Sequence, residues 1–220
     1  MCGRFTLTVP RVETLAELFS AELDPRLPQL HRPRYNIAPS AVAVVLTARE
    51  RQRRLQPAAW GLPGFDERRP GGYINARSET VATSPAFRDA FARGRCGVLA
   101  DGFYEWAGGG ERRLPLWFHP HTPGPLVLGA VYRDLADPET GEVTRRFVIL
   151  TTRANATLAP YHERMPVIVP PAQLDLWLGP DARAAAPVMR PAADDLLAAT
   201  AVTTRVNSVR NDDPECIRPR

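Results

Sequence analysis

The strongest indication of the fold is the stretch CGVLADGFYEW (residues 96–106), which LPLWFH (114–119) follows after a short gap. Aliphatic and aromatic residues dominate both stretches, and turn-forming Gly and Asp separate them, which is typical of antiparallel strands. Similar runs at 126–132 and 143–152 extend the sheet. We therefore expect one α+β domain over residues 1–220, with a mixed, mostly antiparallel, barrel-like sheet and a few short helices.

Outward from this segment, the pattern predicts further strands and a small number of helices. Strands are predicted at 3–8, 42–47, 53–60, 73–77, 165–169 and 201–206. Helices are predicted at 10–23, at 84–94, at 170–178 and at 191–199. Thr8 is the expected N-cap of the first helix, and the Pro-rich stretch 24–40 is expected to be a structured loop.

Composition restricts the class of protein. The 220 residues are 44% hydrophobic and 24% charged, with a net charge of +4, which is mildly basic and compatible with nucleic-acid binding. No apolar stretch approaches the ~20 residues that span a bilayer, and no secretory signal is evident. Three Cys without metal-site spacing argue against zinc and disulfides and favour the reducing cytoplasm. A monomer is the default expectation.

The N-terminus carries an unusual chemical group. Removal of Met1 would leave Cys2 with a free α-amine and a thiol on adjacent carbons, a pair that captures aldehydes as an imine and then a thiazolidine. The 28 basic residues are all Arg, so the terminal amine is the only primary amine of the chain. Its pKa of about 7.7–8 leaves a fraction neutral and nucleophilic at pH 7. The alternative is that Cys2 is incidental.

Glu105 lies inside an aromatic strand, GFYEW (102–106). Alternation places Tyr104 and Trp106 on one face, and Phe103 and Glu105 on the other. A carboxyl beside apolar rings has a raised pKa and can act as a general acid near neutral pH. A solvated Glu paired with one of the many Arg is an equally good interpretation.

His162 lies in a short loop bracketed by Pro160 and Pro166, the most constrained setting among the four His. A loop His can transfer protons at physiological pH. A plain surface His is the alternative.

Asn75 and Arg77 are two residues apart in an extended segment, so both can leave one face. The amide can hold a sugar hydroxyl or a developing charge, and the guanidinium can bind phosphate. A turn-capping Asn and a surface ion pair are the ordinary alternatives. The sequence contains no phosphate-binding loop, nucleophile elbow, HExxH or papain-type motif, which argues against those enzyme classes.

Six motifs taken together resemble the SRAP family (SOS-response-associated peptidase), whose members shield abasic sites in single-stranded DNA. They lie at 1–5, 34–39, 74–80, 100–106, 162–166 and 206–211, in the family's order, and cover nearly the whole chain. The resemblance implies that Cys2 crosslinks to the ring-opened abasic aldehyde. It implies that Glu105 helps to open the deoxyribose, that His162 transfers a proton near the same sugar, and that Asn75 orients the sugar or the terminus.

The resemblance also implies a set of DNA contacts, with single-stranded DNA carrying abasic sites as the partner. The implied contacts are Arg4, Asn36, Pro39, Phe65, Arg77, Arg88 and Arg164. Phe65 stands where the family often has Trp, in a loop whose residues stack on bases. No metal or cofactor is required, and the protein would act in the cytoplasm, on the nucleoid when bound to DNA.

Two other functions stay open. An N-terminal-nucleophile peptidase or thiol hydrolase could use the same Cys2, Asn75, Glu105 and His162, because a terminal amine can serve as its own base. A nucleic-acid-binding module with an inert, buried Cys2 is the other possibility. Self-removal of Met1 would be a limited peptidase activity of the first kind.

Overall fold

A computed structural model describes residues 2–64, 72–108 and 113–220, which form thirteen strands and five short helices. The strands are β1 (Phe5–Leu7), β2 (Ala21–Leu23), β3 (Arg34–Ile37), β4 (Val42–Arg49), β5 (Gln52–Trp60), β6 (Asn75–Arg77), β7 (Arg95–Ala100), β8 (Gly102–Ala107), β9 (Leu114–Pro120), β10 (Leu126–Ala136), β11 (Val143–Arg153), β12 (Arg164–Pro166) and β13 (Leu197–Ala201). The helices are α1 (Val12–Phe19), α2 (Leu27–Leu30), α3 (Arg88–Arg93), α4 (Leu174–Leu178) and α5 (Ala182–Ala185).

Five long strands close into a barrel. They follow the order β11-β10-β7-β4-β5, and β5 returns to pair with β11 in parallel, Phe147 opposite Trp60. Closure removes the exposed edges that an open sheet would present. Strand β7 is buried along its whole length, as expected for a strand covered on both faces.

A second sheet of five strands packs beside the barrel in the order β13-β9-β8-β1-β3. Its centre is aromatic: Phe5 pairs with Phe103, and the ring of Phe103 stacks on Phe118 at 5.4 Å. The Phe5 ring in turn lies 5.2 Å from that of Trp60, at the end of barrel strand β5. These contacts join the two sheets in one hydrophobic core.

The predicted fold class is confirmed. Helices are few and short, antiparallel pairs predominate, and β5 pairs in parallel with both β2 and β11. No helix within the described ranges is both long and apolar enough to cross a membrane.

Three details of the prediction for residues 8–40 are wrong. The first helix ends at Ser20, which adopts a left-handed conformation (φ 49°), and the next residues pair with β5 instead. Thr8 does not cap that helix, because its backbone N–H and hydroxyl both donate to Asp101. Residues 24–40 contain α2 and β3 and are not a loop throughout.

The predicted helix at 191–199 is also absent. Its C-terminal part forms β13, which pairs with β9 along five residues from Leu197 to Ala201. Alanine and leucine favour helix in isolation, but the ladder to β9 and the burial of Leu197 outweigh that preference. The predicted final strand at 201–206 is largely replaced by a 3-10 turn over Thr204–Asn207.

The last twenty residues fold back over the outer face of the second sheet. Val202, Val206 and Cys216 are fully buried against the ring of Tyr104, and the Tyr104 hydroxyl donates to the Tyr35 carbonyl. Near the end of the chain, the Arg220 N–H donates to the Ala201 carbonyl. The C-terminal segment is therefore part of the packed structure.

Candidate active site

Cys2 lies just before β1 and is completely buried. Its thiol approaches the Arg4 carbonyl at 3.8 Å, and the Tyr104 N–H donates to that same carbonyl. The antiparallel register of β1 with β8 therefore carries residues 2–4 alongside 104–106. Burial, and then the charge of Glu105, raise the pKa of the Cys2 thiol well above its ordinary value, so the sulfur stays protonated at neutral pH.

Asp101 fixes the strand that carries Cys2. Its carboxylate accepts the Thr6 hydroxyl at 2.5 Å, the Thr8 N–H at 2.5 Å and the Thr8 hydroxyl at 2.6 Å. Asp101 immediately precedes β8, so these bonds tie the Cys2 strand to the strand that carries Glu105. Hydrogen bonds to a carboxylate are stronger than those between neutral groups, which makes this a firm attachment.

Glu105 lies on the inner face of β8, with only 4% of its surface exposed. It shares that face with Phe103, as strand alternation predicts, while Tyr104 and Trp106 lie on the other face. Burial raises the pKa of the Glu105 carboxyl, and nearby positive charge, including that of His162, opposes the rise. This degree of burial excludes the alternative of a solvated Glu on an open strand face.

Asn75 begins β6, which pairs in parallel with β11 and so brings the amide to the junction of barrel and second sheet. Its Nδ2 donates to the Cys2 carbonyl at 2.9 Å. Its Oδ1 is buried and accepts no hydrogen bond from the residues that the structure describes. A buried acceptor is costly to leave unpaired, so this oxygen is available to a donor from a ligand or from a processed terminus.

His162 is half-buried in the turn that leads into β12. Its Nδ1 accepts the Arg164 N–H at 2.8 Å, which places the proton of the neutral ring on Nε2. The Arg164 carbonyl lies 3.1 Å from the same nitrogen and can accept a proton-bearing Nδ1. The Arg164 N–H therefore occupies Nδ1, and Nε2 is the ring nitrogen that presents a proton.

Arg4 and Asn36 are held together by the C-terminal segment. The Arg4 guanidinium donates to Asn36 Oδ1 at 3.0 Å and to the Val206 carbonyl at 2.9 Å, and it lies over the Trp106 ring. Asn36 is 2% exposed, and its Nδ2 donates to the carbonyls of three residues, Val206, Ser208 and Asn211. The Asn36 amide therefore holds the backbone at Val206, whose carbonyl in turn accepts the Arg4 guanidinium.

The other Arg residues predicted to contact DNA differ in how exposed they are and in whether an acidic residue holds them. Arg77 is exposed and forms no ion pair within the described part of the chain, and Arg88 has a side chain that is 60% exposed. Arg164 is held by both oxygens of Glu79, at 2.6 and 2.8 Å, and its side chain is 12% exposed. This pair holds the pKa of the Glu79 carboxyl at about 2.

Pro39 lies half-buried in the turn between β3 and β4, where the Ser40 N–H donates to the Trp60 carbonyl. Phe65 lies outside the described residues.

The structure brings Cys2, Asn75 and Glu105 together with the turn that carries His162.

Sequence reasoning missed two carboxylates that organise the site from a distance. Asp212 accepts the N–H groups of Tyr35 and Asn36 and also the Arg34 Nε. Glu79 fixes Arg164. Glu79 lies within the 74–80 motif and Asp212 directly follows the 206–211 motif, but their partners are far away in the chain, and no local pattern identifies such pairs.

The arrangement supplies a thiol close to the N-terminus, a buried carboxyl with a raised pKa, an amide that donates to the backbone of Cys2, and an imidazole. These groups suit addition to an aldehyde or acyl transfer. No group of three or more potential metal ligands occurs among the residues described.

Comparison with known proteins identifies relatives over most of the chain. A family model described as SOS response associated peptidase (SRAP) matches residues 1–209. The abasic site processing protein YedK of Escherichia coli is 32% identical over 181 residues, which cover 81% of this chain and 79% of that protein. The abasic site processing protein YoqW of Bacillus subtilis is 32% identical over 225 residues, 99% of each chain. In fold, a solved structure from Bacteroides thetaiotaomicron superposes with a TM-score of 0.86 over all of both chains at 21% identity.

Proposed function

The chain belongs to the SOS response associated peptidase family, and on that premise we propose that it processes abasic sites by forming a covalent crosslink to single-stranded DNA through Cys2. The observation that carries the proposal is the hydrogen bond from Asn75 to the Cys2 carbonyl, which holds a terminal Cys beside a buried acid, Glu105. Relatives over most of its length are named abasic site processing proteins.

The chemistry begins with an amine and an aldehyde. Loss of Met1 exposes the α-amine of Cys2. An abasic deoxyribose is mainly a closed hemiacetal, so a proton from Glu105 to the ring oxygen, with loss of the anomeric hydroxyl proton, opens it to the aldehyde. The amine adds to the carbonyl carbon, the resulting carbinolamine loses water to give an imine, and the Cys2 thiol adds across the C=N bond. The product is a thiazolidine, and the net reaction releases one water.

The protonation states fit this order of events. Because burial raises the pKa of the Cys2 thiol, the amine and not the sulfur makes the first bond to the aldehyde. Burial likewise raises the pKa of Glu105, which keeps a proton available for ring opening at higher pH. His162 would take part in proton transfer at the carbinolamine through Nε2, because the Arg164 N–H occupies Nδ1.

The DNA backbone is bound by Arg. Arg77 and Arg88 are exposed enough to reach phosphates, and Arg4 is held in one orientation beside Cys2. Pro39 and Phe65 would contact bases at the edge of the site. Arg164 would support the site through its ion pair with Glu79 and its hydrogen bond to the Thr151 carbonyl. It could also bind a DNA phosphate by giving up the contact with Glu79. We expect binding to weaken as salt rises, because phosphate contacts release counterions.

Residues 1–220 act as one domain, which the packing of the C-terminal segment onto the second sheet supports. The protein works as a monomer in the cytoplasm, on the nucleoid when bound to damaged DNA. The same Cys2, Asn75 and Glu105 would also serve removal of Met1, a single self-directed peptide cleavage that the family description suggests.

The test compares wild-type protein with Cys2→Ser and with protein whose N-terminus is acetylated. Each is incubated with a single-stranded oligonucleotide carrying one abasic site, with and without borohydride, and run on a denaturing gel. Wild type should give an adduct without reduction, Cys2→Ser only a borohydride-dependent one, and the acetylated protein none. A peptidase acting on other proteins would instead cleave added peptides, and an inert binder would give no adduct in any sample.

A further inference from the structure

Tyr161, directly before His162, is an exposed aromatic residue at the edge of the candidate active site. With 39% of its surface exposed, it is the one aromatic among the large hydrophobic residues that the described chain leaves in solvent. A Tyr ring combines a large apolar face with a polar tip, so a partly exposed ring next to a site offers a face on which a ligand can pack. The sequence motif pointed to His162 and gave no indication of a role for Tyr161.

The Tyr161 ring lies on the same side of the second sheet as Glu105. It packs edge-on against Phe118, with ring centroids 5.8 Å apart and planes at 64°. Phe118 is fully buried and is the register partner of Phe103, and the next pair on that face is Glu105 with Leu116. Tyr161 therefore contacts the cross-strand pair adjacent to the one that contains the acid.

The turn that carries Tyr161 is held in place. The N–H groups of Tyr161 and His162 both donate to the carbonyl of Leu158, whose side chain is completely buried. Upstream, the Asn155 Nδ2 donates to the carbonyls of Ala192 and Ala193, at 3.3 and 3.1 Å. A ring fixed in this way loses little further conformational freedom when a ligand packs on it.

We propose that Tyr161 is a stacking platform for the nucleobase that flanks the abasic site. The assignment rests on the proposed function. A base next to an abasic position has lost one stacking neighbour, and a fixed aromatic ring beside the sugar-binding groups can replace it. Base–aromatic stacking is tolerant of sequence because every base has a π-face, and larger purines stack with more area. Tyr161 would thus set the position of the abasic sugar relative to Glu105 and His162.

The test measures crosslinking rates at subsaturating DNA for a set of single-stranded oligonucleotides. The nucleotide on the 5′ or the 3′ side of the abasic site is a purine, a pyrimidine or a tetrahydrofuran residue that has no base. Wild type should react about tenfold faster with a flanking purine than with tetrahydrofuran on one of the two sides, a modest stacking effect. Tyr161→Ala should lose that difference and keep the tetrahydrofuran rate.

Three further variants separate stacking from other roles. Tyr161→Phe and Tyr161→Trp should retain the preference, because the ring and not the hydroxyl is responsible. Leu176→Ala, at a residue of α4 that is 43% exposed, is the matched surface control and should behave as wild type. Thermal melting of every variant reports whether the turn has stayed folded.

The assignment is overturned if Tyr161→Ala keeps the wild-type preference, or if it slows all oligonucleotides equally, as a displaced His162 would. It is equally overturned if wild type crosslinks but does not discriminate among the flanking residues. Failure of the wild-type protein to crosslink any oligonucleotide would contradict the proposed function, and this assignment with it.

Discussion

At the residue scale, burial determines the protonation of the two groups on which the chemistry depends. Cys2 and Glu105 lie at the junction of two sheets, and desolvation raises the pKa of both. The proposed sequence of steps uses the thiol in its neutral form and a Glu105 carboxyl that keeps its proton to higher pH than a solvated carboxyl would. A single polar contact, from the Asn75 amide to the Cys2 carbonyl, fixes the backbone of Cys2.

Glu105→Gln tests the acid. The amide keeps the size of the side chain but cannot deliver a proton, so crosslinking to an abasic oligonucleotide should slow by about 10²-fold or more. In wild type, the rate should fall at high pH as Glu105 loses its proton, while at low pH it is limited by protonation of the terminal amine. The variant should lose the high-pH fall, and a retained wild-type profile would contradict the role.

The same substitution makes a prediction about stability. The pKa of Glu105 is higher in the folded state than in the unfolded state, so the folded protein binds more protons in that interval. Its contribution to stability is therefore fully present below the unfolded pKa of about 4.3 and is lost as pH rises through the folded value. Urea unfolding should show Glu105→Gln gaining stability relative to wild type from pH 4 to pH 8; a constant difference would contradict the burial account.

At the element scale, two attachments hold the strands that build the site. Asp101 ties β1 to the start of β8, and the C-terminal segment ties β3 to Arg4 through Asn36 and Asp212. Neither Asp101 nor Asp212 touches the substrate in the proposed chemistry. Each nevertheless determines where a substrate-binding side chain lies.

Asp212→Ala tests the second attachment. The substitution leaves the Tyr35 and Asn36 N–H groups and the Arg34 Nε without their acceptor, which should cost about 2–4 kcal/mol of unfolding free energy. Hydrogen exchange at residues 206–212 should rise. Asp213→Ala removes a half-exposed ion pair with Arg205 and the N-cap hydrogen bond from the Glu215 N–H, and it serves as the neighbouring control with a smaller loss. Equal losses in the two variants would contradict the attachment.

Strand alternation predicted the Phe103/Glu105 face correctly, and local motifs selected Cys2, Asn75 and His162. The contacts of Asn36 and Asp212 could not be predicted, because their partners lie about 170 or more residues away in the chain. The helix expected at 191–199 failed for a related reason. Its alanines and leucines favour helix locally, and only pairing with β9 converts part of the segment to strand.

At the scale of the whole molecule, the site exists because two sheets meet. β1 and β8 belong to the second sheet, whereas β6 and β12 both pair with barrel strand β11. Catalytic candidates from four separate parts of the chain therefore converge at one junction. The chain as a whole also contains Arg but no Lys, so imine chemistry is confined to the terminal amine.

This confinement can be tested by moving an amine. With its N-terminus acetylated, wild type should give no borohydride-trapped adduct with abasic DNA, because guanidinium groups do not form imines at neutral pH. Arg77→Lys, tested in the same acetylated form, should regain one. Arg51→Lys is the control, at the far end of the β4–β5 hairpin from Trp60, which is about 30 Å along the strand at 3.3 Å per residue. A trapped adduct on acetylated wild type would contradict the account.

Intact mass spectrometry gives the sharpest test of crosslinking through Cys2. Purified protein lacking Met1 is measured before and after incubation with a single-stranded oligonucleotide that carries one abasic site. Crosslinking through Cys2 predicts a new species whose mass equals protein plus DNA less one water. Peptide mapping should place the link on Cys2. Processed protein that forms no adduct even at high DNA concentration, or an adduct mapped to another residue, would contradict it.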